Sequence, residues 1–114
     1  MYADPQLVDV DHSGKPRHFV FVLLHDFTMI SFAAAVECLR IANRTSGKTL
    51  YSWTIVSEDG NDVTCSNGCA FRVQHDLNET TRDDTIMVCG GVHVQAATTK
   101  RLLNWLRREA RRGL

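Results

Sequence analysis

The sequence lacks several features that would assign its class at once. No stretch approaches the roughly 18 consecutive apolar residues of a membrane span. The opening MYADPQLVDVDHSGKPRH has no apolar core of the kind a signal peptide carries. Both absences point to the cytoplasm, where Cys38, Cys65, Cys69 and Cys89 are expected to be reduced. An excess of either charge is also lacking. Thirteen basic residues balance thirteen acidic ones, which removes any whole-chain electrostatic case for nucleic acid or an anionic membrane. No helix-turn-helix, zinc finger or aromatic-interleaved basic sheet is legible, so specific DNA binding by these residues is not expected. Internal repeats and low-complexity segments are absent as well. At 114 residues the chain is one domain at most.

What is present alternates. Residues 1–17, with Pro5, Gly14 and Pro16 and no periodicity, read as a flexible lead-in. FVFVLL (19–24) is a short β-branched and aromatic run, as in a strand buried on both faces. A helix is predicted from about Met29 to Arg44, with Glu37, Arg40 and Arg44 as its solvent stripe and Gly47 as its terminator. LYSWTIVS (50–57) is a second strand, and residues 62–73 form a hairpin with Ser66-Asn67-Gly68 at the tip. A charged linker, 74–84, leads to the strand TIMVCG. Residues 95–112 are predicted to form one amphipathic helix, with Leu102, Leu103, Leu106 and Ala110 facing inward and the basic residues outward. This order implies an α/β fold with a largely parallel sheet. After Gly113, a plausible helix terminator, the alternation calls for another strand. The chain therefore reads as the first part of a larger domain.

Few residue groups have the spacing of a reactive site. Cys65 and Cys69 flank a three-residue tip, which is not a zinc-knuckle spacing, and no second pair completes four ligands. They are expected to be packing cysteines rather than metal ligands or a disulfide. His12, His18, His25, His75 and His93 form no metal-binding pair on one helix. His25 and His93 each follow the carboxyl end of a strand, where open α/β sheets hold ligands. Asp26 is placed to cap the following helix, and it is also the acid nearest that sheet edge. Glu37 and Arg40 suit a surface pair. Cys89 precedes Gly90-Gly91 and so belongs to the strand, whereas a nucleophile elbow sits in the turn itself. The two glycines allow close backbone approach, and their N–H groups could line an anion-binding turn.

FVFVLLHDFTMISFAAAVECLRIANR, LYSWTIVSEDG, VTCSNG, TIMVCGG and LLNWLRREARRG, in that order, resemble the N-terminal domain of GlxA-type regulators. These are AraC-family transcription factors that join a PfpI-like (class I glutamine amidotransferase-like) domain to a C-terminal helix-turn-helix pair. LRIANR and the SNG tip are most similar to regulators of carnitine, glycine betaine or arginine catabolism. The resemblance covers roughly residues 18–113. It implies a flavodoxin-like three-layer sandwich, with the strand and elbow that complete the sheet, and the DNA-binding domain, beyond Leu114. Gly90-Gly91 match the glycines that shape the oxyanion turn in enzymes of the superfamily. The acid that bonds the elbow thiol in those enzymes falls near Ser31 here, and serine cannot play that part.

The expectation is therefore a non-catalytic sensor with no cofactor or metal. It would bind a small polar effector of the amino-acid or quaternary-amine type through Asp26, Phe27, Ser66, Asn67, Gly90, Gly91 and His93. It would act as a homodimer and reach DNA only through the domain it lacks. An amidase- or glyoxalase-like cysteine hydrolase, and a fragment that chiefly dimerises through its first helix, are the competing expectations.

Overall fold

A computed structural model describes residues 15–78, 80–81 and 84–112. Residues 1–14 of the expected lead-in, and the expected helix terminator Gly113, lie outside the described residues. The elements run β1 (Arg17–Leu23), α1 (Met29–Ser46), β2 (Tyr51–Val56), β3 (Val63–Thr64), β4 (Ala70–Phe71), β5 (Thr85–Cys89), α2 (Val94–Ala97) and α3 (Lys100–Arg111). β1 lies between β2 and β5 in a parallel sheet, while β3 and β4 pair as an antiparallel hairpin. The strand expected from Phe19 thus starts two residues earlier, at Arg17, within the segment expected to be flexible.

The pleat of β1 sorts its side chains into two cores, because successive residues of a strand point to opposite faces. Phe21 and Leu23 point to the α1 side, where they pack with Phe27, Phe32, Val63, Cys65 and Val73. Val20, Val22 and Leu24 point to the other side, against Val56, Leu102 and Trp105. The order is α1 with the hairpin, then the sheet, then α3: three layers, as the α/β alternation implies. The α1 core is rich in edge-to-face aromatic pairs, including Phe27 against Phe32 at 5.8 Å and Phe27 against Phe71 at 5.2 Å between ring centroids. Such pairs add about 0.5–1.5 kcal/mol each beyond the area they bury.

α1 stops where its glycine predicts. Gly47 adopts φ +68° and its N–H donates to the Arg44 carbonyl, so the helix reaches Ser46. Asn43 then ties the helix to β2. Its Oδ1 accepts from the Leu50 and Tyr51 N–H groups at 2.8 and 2.9 Å, and its Nδ2 donates to the Tyr51 carbonyl. Glu37 and Arg40 form the expected exposed pair, a contact worth a few tenths of a kcal/mol.

The last helix departs from expectation in two respects. It is broken at Thr98-Thr99 rather than continuous from 95 to 112. Thr98 Oγ1 bonds back to the Val94 carbonyl, while Thr99 Oγ1 accepts from the Leu102 N–H at 3.1 Å and donates to Glu58 Oε1 at 2.7 Å. A threonine that supplies the cap acceptor starts a new helix. The inward stripe is also rotated: Leu102, Trp105 and Glu109 are buried, whereas Leu103 and Ala110 are exposed. The cause is the pair Asn78 and Thr80, which lie along that flank. Trp105 Nε1 donates to the Asn78 carbonyl at 2.9 Å, and Thr80 Oγ1 donates to Glu109 Oε2 at 2.9 Å. Arg112 closes the group, with Nε 3.3 Å from Glu109 Oε2 and Nη2 donating to the Thr80 carbonyl. Among the described residues, no helix is long and apolar enough to cross a membrane.

Candidate functional site at the carboxyl ends of the strands

Three loops meet where β1 and β5 end. The β1–α1 turn is bonded to the hairpin: the Asp26 N–H donates to the Thr64 carbonyl, and the Ser66 N–H donates to the Phe27 carbonyl, both at 2.9 Å. It is bonded equally to the turn after β5, where the Thr28 N–H donates to the Gly90 carbonyl at 3.1 Å. A Cβ on Gly91 would overlap the Asp26 carbonyl and stand 3.2 Å from Thr28 Oγ1. One on Gly90 would stand 2.8 Å from Val94 Cγ2. Glycine is thus required at 91 by packing alone. All seven residues expected at a pocket belong to this junction, but their side chains separate into two groups.

The outward group centres on Asp26. It adopts φ +61°, the one left-handed non-glycine among the described residues, a conformation that asparagine and aspartate tolerate best and that often marks a functional turn. Asp26 Oδ2 lies 3.2 Å from His93 Nδ1, and Oδ1 lies 3.6 Å from His25 Nε2. Asp26 therefore does not cap α1. Thr28 holds the cap position, without a side-chain cap bond, and the left-handed turn swings the carboxylate towards the two imidazoles instead. Both histidines are well exposed, while the carboxylate is about one-third exposed at 32%.

The second group serves the fold. Phe27 is fully buried and its ring completes the aromatic core, so only its backbone carbonyl reaches the junction. Asn67 is occupied by the hairpin: Oδ1 accepts from Cys65 Sγ at 2.7 Å and from the Cys69 N–H at 3.0 Å, and Nδ2 approaches Met29 Sδ at 3.8 Å. Ser66 is exposed at the tip. Cys65 packs as expected, but Cys69 is exposed. Cys89 is a strand residue, as its place before the glycines implied. Its partner on β1 is Leu23, it packs against the α1 core, and burial pushes its thiol up to about 11. A thiol so disposed is protonated at neutral pH and a poor nucleophile. Among the described residues, no three His, Cys, Asp or Glu side chains gather as metal ligands would. His25, expected at the strand end but not among the pocket residues, joins Asp26 here. The signal was its adjacency to Asp26.

No family model matches the chain. Three curated relatives are nonetheless similar to it. The HTH-type transcriptional regulator GbdR of Pseudomonas aeruginosa is 40% identical over 99 residues, spanning 87% of this chain and 27% of that protein. CdhR of the same species is 38% identical over 98 residues, spanning 86% of this chain and 29% of that one. GlxA of Rhizobium meliloti is 33% identical over 103 residues, spanning 90% and 32%. The chain thus spans about a third or less of the length of each. Among solved structures, an AraC family transcriptional regulator from Pseudomonas putida superposes with a TM-score of 0.65 at 28% identity, over 83% of this chain and 52% of that one. A DJ-1 superfamily protein from Agrobacterium tumefaciens has the same fold, with a TM-score of 0.58 at 20% identity over 83% of this chain and 48% of its own. The chain is homologous to the N-terminal part of AraC-family transcriptional regulators and has their flavodoxin-like α/β fold.

Proposed function

We propose that this chain is the effector-reading part of a transcriptional regulator, binding a small polar metabolite at the carboxyl ends of β1 and β5 without turning it over. One observation carries the reading: the left-handed Asp26, whose carboxylate stands between His25 and His93 and whose backbone carbonyl lies against Gly91. A carboxylate in such a place suits an ammonium, guanidinium or quaternary ammonium group. The imidazoles, each with a donor and an acceptor nitrogen when neutral, suit the carboxylate or hydroxyl at the ligand's other end. The resemblance of LRIANR and the SNG tip to regulators of carnitine, glycine betaine or arginine catabolism makes such zwitterions the first candidates. Asp26, His93 and the Gly90-Gly91 backbone face the ligand. Phe27, Ser66 and Asn67 hold the loop from beneath and beside it.

Binding without catalysis agrees with the protonated, half-buried Cys89 and with Ser31 in place of an acid. DNA contact belongs to the helix-turn-helix part that the relatives' names describe. Self-association into a homodimer has a candidate surface on α1, where Ile30, Ala34 and Ile41 are exposed along one stripe. Light scattering should report a dimer that Ile41→Glu weakens. Isothermal titration of the 114-residue chain with carnitine, glycine betaine and arginine tests the binding. One of them should bind, and Asp26→Asn, which keeps the left-handed preference and removes the charge, should weaken it by about tenfold or more.

A further inference from the structure

We propose that Cys65 and Cys69 are a reversible oxidation site, closing a disulfide across the hairpin tip when the chain meets a peroxide. The β3–β4 ladder pairs Val63 with Phe71 and Thr64 with Ala70. One residue nearer the tip the Cys65 N–H donates to the Cys69 carbonyl at 2.8 Å, while the Cys65 carbonyl accepts from the Gly68 N–H and the Cys69 N–H donates to Asn67 Oδ1. Residues joined by such a backbone bond across an antiparallel turn have Cα atoms on the order of 5.5 Å apart, inside the span of about 4.4–6.8 Å that disulfides bridge. Gly68, at φ +92°, turns the chain so that only three residues separate the pair.

The two thiols differ in access, and the difference assigns their parts. Cys69 is exposed and meets the oxidant, while Cys65 is buried. The peroxide O–O bond breaks as its oxygen adds to the Cys69 sulfur, giving a sulfenic acid and releasing water. Cys65 Sγ then attacks that sulfur, forming the S–S bond. The displaced hydroxide leaves with the Cys65 proton as a second water. Two thiols lose two electrons and the peroxide gains them; a thiol reductant reverses the step. The other cysteines have no such partner: Cys38 is exposed on α1, and Cys89 lies on β5 with Sγ turned towards the Met87 carbonyl.

Oxidation removes the S–H that Cys65 donates to Asn67 Oδ1. Asn67 is also bonded to the Cys69 N–H and approaches Met29 Sδ, and its neighbour Ser66 is bonded to the Phe27 carbonyl. The redox state of the pair is therefore read at the hairpin face of the β1–α1 loop.

The test uses the full chain with Cys38→Ser, to prevent linkage between copies, treated with a slight excess of hydrogen peroxide under native conditions. After denaturation, alkylation and trypsin, the peptide Thr49–Arg72, which carries both cysteines, should have lost two hydrogens and taken no alkyl group. Dithiothreitol should restore two alkylation sites, and oxidation should shift the Asn67 side-chain amide signals in NMR. With Cys69→Ser, Cys65 should remain alkylatable at the same dose. Sulfinic acid at Cys69 with Cys65 still alkylatable would overturn the proposal. So would a disulfide that forms only after the chain is unfolded in urea.

Discussion

The two outer strands of the sheet are finished differently. Along the outer side of β2 runs the chain's own segment 74–75: the Gln74 N–H donates to the Ile55 carbonyl, Gln74 Oε1 accepts from the Ile55 N–H, and Val56 bridges to His75. β5, at the opposite side, pairs only with β1 among the described residues. Met87 points to one face and Val88 to the other, and both are exposed. In sequence, TIMVC is nearly as apolar as FVFVLL, yet β1 has four consecutive buried residues and β5 has none. An apolar run identifies a strand. Its burial depends on neighbours that the run itself does not encode.

The contrast can be broken in graded steps. Phe21→Ala, on the central strand, should cost about 3–5 kcal/mol in urea unfolding because the cavity opens in the aromatic core. Thr80→Val should cost about 1.5–3 kcal/mol by removing a donor to the buried Glu109 carboxylate. Among the described residues, the Oε1 atom of that carboxylate already lacks a hydrogen-bond partner. Gly91→Ala should cost about 1–3 kcal/mol through overlap with the β1–α1 turn, and NMR shifts should concentrate at Asp26 and Thr28. Val88→Thr on the open strand should stay within about 0.5 kcal/mol of the parent. A loss there comparable to Phe21→Ala would mean that β5 is covered after all.

Cys89 gives a pH-dependent version of the comparison. Its thiol is raised from 9.0 to about 11 by burial. The stabilisation from keeping it protonated is therefore complete below pH 9 and is lost as pH rises from 9 to 11. Cys89→Ala should flatten the decline of stability across that window. At pH 8, Cys89 should react with iodoacetamide more slowly than exposed Cys38.

The parallel sheet, α1 with its glycine stop, the hairpin and the strand identity of Cys89 were all legible, because each rests on local period or turn chemistry. The break at Thr98-Thr99 was not, since a helical period continues through it and only the cap bond to Leu102 interrupts it. Burial of Glu109 was likewise invisible, because in sequence it is one acid among the six basic residues from Lys100 on. Its partners Thr80 and Arg112 come from different parts of the chain. At the site, strand ends pointed to Asp26 and His93. The left-handed turn that aims Asp26 at the histidines, and the burial of Phe27, depend on contacts with Gly91 and the hairpin that lie far away in sequence.

The most direct test of the account is a calorimetric titration of the chain with carnitine, glycine betaine and arginine, repeated with Asp26→Asn and with the edge variant Val88→Thr. Saturable binding of at least one compound is expected, weakened about tenfold or more by Asp26→Asn and untouched by Val88→Thr. Binding that survives Asp26→Asn unchanged, or no heat across the panel from a chain that NMR shows to be folded, would contradict it.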